Sequence, residues 1–83
     1  MELTILAKVG RLPTTKDCAD AAARMSAYEA RVLLRCGDIT VNAKSLLGLM
    51  SLGIKDGMSV TIIASGADEA QAVCAMADLL QQK

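Results

Sequence analysis

The 83-residue chain contains no histidine, no phenylalanine and no tryptophan, and it has one tyrosine and one proline. Without an imidazole, no histidine can carry a phosphoryl group, hold a metal or shuttle a proton in this chain. The shortage of aromatics weighs against nucleic-acid binding, because single-strand binders stack bases on aromatic side chains and only Tyr28 is present. Charge of one sign is also missing. Nine Lys and Arg balance nine Asp and Glu, which leaves no basic field to gather phosphates. No run approaches the roughly 20 apolar residues that a membrane-spanning helix needs, so no membrane partner is expected. The opening MELTILAKVG lacks a basic segment followed by a long apolar one and reads as a strand rather than a signal peptide. Cys18, Cys36 and Cys74 are odd in number and include no CxxC pair. They make neither a disulfide framework nor a zinc site, and reduced thiols fit a cytoplasmic setting. No cofactor is implied.

What is present is aliphatic. Hydrophobic residues make up 53% of the chain, so the core must be built from Leu, Ile, Val, Met and Ala. Eighty-three residues suit one domain spanning 1–83, able to bury roughly 60% of the surface its unfolded form exposes.

Two periodicities alternate along the chain. Glu2–Lys8 reads as a strand with Leu3, Ile5 and Ala7 on one face. Gly10–Thr15 reads as irregular and holds Pro13. Thr14 or Thr15 then suits the cap of a helix with Asp17 in its first turn and with Cys18, Ala21, Ala22 and Met25 as its narrow apolar stripe. Arg31–Cys36 returns to period two, and Gly37-Asp38 before Ile39–Asn42 fits a type II′ hairpin. Ser45–Leu52 is a short apolar helix, with Ser45 as a natural N-cap and Gly53 as a natural terminator. Ser59–Ala64 is another strand. Asp68 and Glu69 open a last helix, where their charges complement its dipole, and Ala72, Val73, Met76, Leu79 and Leu80 form its core face. The order β-α-β-β-α-β-α predicts an α+β fold. The arrangement is a four-stranded antiparallel sheet with three helices on one face, an open-faced sandwich.

The run Val41–Ile54, VNAKSLLGLMSLGI, together with Ala64–Glu69, ASGADE, resembles the HPr phosphocarrier family of the bacterial sugar phosphotransferase system. The resemblance is strong from Thr40 to the final helix and aligns without gaps back to Ala30. It implies the same open-faced sandwich. The family's catalytic motif, Gly-x-His-Ala-Arg-Pro-Ala, is where this chain departs. At family spacing Thr14 stands in the histidine position, Lys16 in that of the arginine and Asp17 in that of the proline. A threonine phosphate ester is a far poorer phosphoryl donor than a phosphohistidine, so relay transfer is not expected and no catalytic residue is assigned.

Ser45 matches the regulatory serine of Gram-positive HPr. A phosphate there would meet free backbone N–H groups and the positive end of a helix dipole; the plainer reading is an N-cap worth about 1 kcal/mol. Leu46, Leu47 and Met50 match the apolar patch that the family presents to partners. The plainer alternative buries all three, but Leu46, Leu47, Leu49, Met50 and Leu52 are too many to face inward together. By the resemblance Lys16 stands near a phosphate on Ser45, as a point charge rather than a planar fork; otherwise it is a solvated lysine. Cys18 near a helix start invites a depressed pKa, against the simpler reading of a small buried hydrophobe. Asp68 and Glu69 diverge on a helix and cannot share a substrate.

These features imply a regulatory, non-catalytic HPr-like protein similar to the catabolite-repression paralogue that also lacks the histidine. Its implied partners are HPr kinase/phosphorylase, acting on Ser45, and a transcriptional regulator of catabolite repression, docking on Leu46, Leu47 and Met50. The alternative is a diverged HPr fold serving as a structural or oligomerising module without phosphorylation. A third reading, with Thr14 as phosphoacceptor, competes with its use as a cap.

Overall fold

The computed structural model describes residues 1–8 and 14–81. Four strands and three helices follow in the expected order: β1 (Glu2–Leu6), α1 (Thr15–Ser26), β2 (Arg31–Cys36), β3 (Ile39–Asn42), α2 (Leu46–Leu52), β4 (Ser59–Ser65) and α3 (Glu69–Leu80). The sheet order is β1-β4-β2-β3, and every neighbouring pair is antiparallel. α3 packs across β4, β1 and β2, α2 packs on β3, and α1 rests mainly against α2 and α3.

Strand alternation decides which side is covered. Val32 and Leu34 of β2 and Val60, Ile62 and Ala64 of β4 are fully buried beneath the helices, in the register Val32↔Ala64 and Leu34↔Ile62. The opposite side stays open to water and carries polar pairs such as Thr4 and Thr61, whose hydroxyl oxygens lie 2.9 Å apart. The helices complete one aliphatic core with Cys18, Ala22 and Met25 from α1, Leu49 and Leu52 from α2, and Ala72, Val73, Met76 and Leu80 from α3.

Most local expectations hold. Thr14 caps α1 through a reciprocal capping box: the Asp17 amide donates to Thr14 Oγ1 at 3.2 Å, and the Thr14 amide donates to the Asp17 carboxylate at 2.9 Å. Gly37 has φ +60° while Asp38 keeps a negative φ, the pattern of a II′ rather than a I′ turn. Gly53 closes α2 in the left-handed region at φ 58°, ψ 51°.

Two boundaries shift. β1 ends at Leu6 rather than Lys8, because Ala7 pairs with the 57–58 turn: its amide donates to the Met58 carbonyl and its carbonyl accepts from Gly57. Leu3 shares the inward side with Ile62 yet keeps 40% of its surface exposed, since β1 is an edge strand. β4 runs one residue further, to Ser65. Of the irregular stretch expected over Gly10–Thr15, positions 10–13 lie outside the described residues.

The junction of β2 with the β4–α3 loop is the tightest part of the structure. Gly66 has φ +150°, and a Cβ built there would lie 2.6 Å from Ala30 Cα. Beside it, the Asp68 carboxylate accepts from the Glu29 amide at 2.9 Å and from the Ala30 amide at 2.8 Å. Asp68 was expected as a helix-start residue. It occupies the N-cap of α3 but makes no side-chain cap bond, because its oxygens are spent across the junction. Those two amides hold its pKa below the ordinary carboxylate range.

Two outcomes follow. Gly66→Ala forces backbone apart and should cost about 2–3 kcal/mol, read as a lowered denaturation midpoint in urea; an unchanged midpoint would contradict the contact. A carboxylate with a depressed folded-state pKa contributes stability above its unfolded value and loses it as pH falls through the folded one. Stability should therefore drop as pH descends below about 4. Asp68→Asn should lower stability at pH 7 and flatten that acid slope, and an equally steep slope in the variant would assign the acid sensitivity elsewhere.

Candidate functional site

Ser45 sits where β3 hands over to α2. Its backbone is extended at φ −104°, ψ 122°, and its Oγ accepts from the Gly48 amide at 3.2 Å. Its own amide donates to the Asn42 carbonyl and its carbonyl accepts from Leu49, each at 3.0 Å. The Asn42 side chain accepts from the Lys44 amide at 2.8 Å. A Cβ on Gly48 would come within 3.2 Å of the Asn42 carbonyl oxygen and 3.3 Å of Val41 Cβ, so the glycine lets the first turn of α2 lie close to β3 without a tight contact. The first turn of α2 holds no acidic residue, and an added anion would meet no repulsion from it.

α2 divides its apolar load by face. Leu49 and Leu52 are buried, Leu46 is half-buried against the core, and Leu47 and Met50 point outward with 76% and 45% of their surfaces exposed. Leu46 therefore flanks the exposed pair rather than heading it. Ser51, on the outward side, bonds its hydroxyl to the Leu47 carbonyl at 2.8 Å.

The other sequence candidates separate from this surface. Thr14 is exposed, and its hydroxyl is engaged in capping α1, which supports the cap reading. Lys16 is exposed, and among the described residues no hydrogen bond joins it or Thr14 to Ser45. Cys18 is buried, and burial, reinforced by the Asp17 charge, pushes its thiol pKa up. This bears out the small buried hydrophobe rather than an activated thiolate. Among the described residues no three His, Cys, Asp or Glu side chains gather as a metal site. A shallow open hollow lined by Asp17, Asp20, Ala23, Arg24 and Leu79 contains neither Ser45 nor the exposed leucine.

Sequence reasoning missed Lys44. Its ammonium crosses to the Tyr28 carbonyl at 2.7 Å, beside the Glu29 and Ala30 amides that Asp68 holds. No local pattern announces either contact, because the partners lie 16, 38 and 39 positions away.

Comparison with known proteins places this geometry. Residues 15–82 match the family model described as the PTS HPr component phosphorylation site. HPr-C-His from Thermoanaerobacter tengcongensis is 32% identical, with a TM-score of 0.86 over 98% of this chain and 91% of that one. The phosphocarrier protein HPr from Bacillus anthracis is 27% identical, with a TM-score of 0.90 over 98% and 96%. The Bacillus subtilis catabolite repression protein Crh, described as a swapped dimer, is 31% identical, with a TM-score of 0.76 over 93% and 84%. The chain belongs to the HPr family of the phosphotransferase system, with no histidine anywhere in its sequence.

The two faces of α2 should separate under mutation. Leu47→Ser should change stability by less than about 0.5 kcal/mol, whereas Leu49→Ala should cost about 2–5 kcal/mol. Chemical denaturation of both variants checks this, and comparable losses would mean that Leu47 is not outward in solution.

Proposed function

We propose that this HPr-family chain is a regulatory protein-binding module without phosphohistidine relay, working in the cytoplasm and controlled by phosphorylation of Ser45. The carrying observation is that one short helix joins a serine N-cap to an outward pair, Leu47 and Met50. Large exposed apolar side chains clustered on one helix face favour a protein contact. A phosphate on the cap residue adds charge at the rim of that contact. HPr kinase/phosphorylase is the proposed modifying partner, and a transcriptional regulator of catabolite repression is the proposed reader. Leu47 and Met50 head the docking surface and Leu46 supports it from below. Lys16, which is exposed, approaches only when a phosphate is present.

The chemistry against relay is plain. A threonine hydroxyl engaged in a capping box offers an ester at best, and an ester does not hand its phosphoryl group onward as a phosphoimidazole does. The module therefore neither transfers phosphate nor catalyses a reaction.

A second reading has its own support: β1 is an edge strand, with Leu3 and Leu6 exposed at 40% and 55%. An open edge of this kind favours pairing with another chain, and the Crh relative is described as a dimer.

One experiment weighs the two readings. The protein is incubated with HPr kinase/phosphorylase and ATP and then measured by native mass spectrometry. A monomer gaining one phosphate on wild type and none on Ser45→Ala is the expected result. A dimer that stays unlabelled would support the oligomerising reading. Equal labelling of Ser45→Ala would remove Ser45 from the account.

A further inference from the structure

The turn between α1 and β2 is held from two sides by groups distant in sequence. The Asp68 carboxylate takes the Glu29 and Ala30 amides at 2.9 and 2.8 Å, and the Lys44 ammonium takes the Tyr28 carbonyl at 2.7 Å. Within the turn itself, the Tyr28 amide reaches back to the Met25 carbonyl at 3.1 Å. The Lys44 charge also contributes to the lowered pKa of Asp68, behind the two amides. The ammonium and the carboxylate thus act on one segment together.

Lys44 is joined to Ser45 by a single peptide. We infer that Lys44 couples the charge state of residue 45 to the order of the Tyr28–Ala30 turn: an anion on residue 45 draws the ammonium away from the Tyr28 carbonyl and loosens the turn. The inference rests on Ser45 as the regulated residue and adds what its regulation does inside the fold. A carbonyl is a neutral acceptor, and a hydrogen bond to an ionised acceptor is roughly twice as strong. The ammonium sits on a flexible four-carbon stem with three rotatable donors, so it can turn from the Tyr28 carbonyl toward an anion on the neighbouring residue. An anion on residue 45 therefore competes for Lys44 without any rearrangement of α2. Release of the Tyr28 carbonyl leaves the turn held by Asp68 and by the bond from the Tyr28 amide to the Met25 carbonyl. The only aromatic side chain of the protein, half-buried against the core, sits on the segment that moves.

Amide hydrogen exchange followed by NMR tests this without the kinase. Ser45→Glu is compared with Ser45→Gln, which has the same size and no charge, so that loss of the serine cap cancels. The Glu29 and Ala30 amides should exchange roughly fivefold faster in Ser45→Glu than in Ser45→Gln, the lower end of typical intersite coupling. Adding Lys44→Met to both should abolish the difference. Equal exchange in the two single variants would overturn the inference, and so would a difference that survives Lys44→Met. Should the Lys44 variants fail to fold, the comparison of the two single variants still decides. Refusal of the kinase to modify Ser45 would remove the phosphorylation reading and leave this coupling standing on its own measurement.

Discussion

Two loops that are far apart in the chain meet where Gly66 lies against Ala30, and much of the remaining structure is arranged around that contact. The missing Cβ lets the β4–α3 loop come within van der Waals distance of the start of β2. That approach brings the Asp68 carboxylate to the Glu29 and Ala30 amides, which would otherwise be unpaired where the helix ends and the strand begins. With those donors satisfied, β2 is aligned on β4 in the register that buries Val32 and Leu34. The centre of the sheet is set by this pairing. β3 joins by hairpin to β2, α2 packs on β3, and the position of Ser45 follows.

The outward face of α2 takes its character from packing. α2 carries five large apolar side chains in seven residues, and only one side of it faces the sheet. Gly48 lets the first turn of that side lie close to Asn42 and Val41. Leu49 and Leu52 go inward, so Leu47 and Met50 have nowhere to go but out. Exposure of this pair costs some solubility and gains nothing for the core. That combination is expected of a contact surface rather than of a scaffold.

The fold was largely legible in the sequence because its signals are local. Period-two alternation marked β2 and β4, the Thr14 and Ser45 caps marked helix starts, and Gly37 and Gly53 marked the turn and the stop. Ala7 was misread as strand because its alternation continues while its partner changes from β4 to the 57–58 turn, a tertiary event with no local trace. The outward pair on α2 was legible by counting, since five apolar residues exceed one face; the inward lean of Leu46 was not. The contact of Lys44 and the cross-junction bonds of Asp68 escaped notice for one reason: each is made to backbone groups of a distant loop, and backbone groups leave no signature in side-chain pattern. Cys18 was open to two readings because a helix start and a buried stripe act on a thiol in opposite directions. Burial dominates.

The absence of charge along α2, from Leu46 to Leu52, bears on how fast a partner can arrive. The protein has no net formal charge, and α2 itself carries no charged side chain, so encounters through this face are governed mainly by diffusion and orientation. Rates then fall in the ordinary range of roughly 10⁵–10⁷ M⁻¹s⁻¹ and respond little to ionic strength. A phosphate on Ser45 would place about −1.5 to −2 charges at the margin of an otherwise neutral surface. A partner bearing basic groups would then be guided in by long-range attraction. Modification would act on the kinetics of arrival before any contact is made, and added salt would erase that advantage while leaving the apolar grip intact.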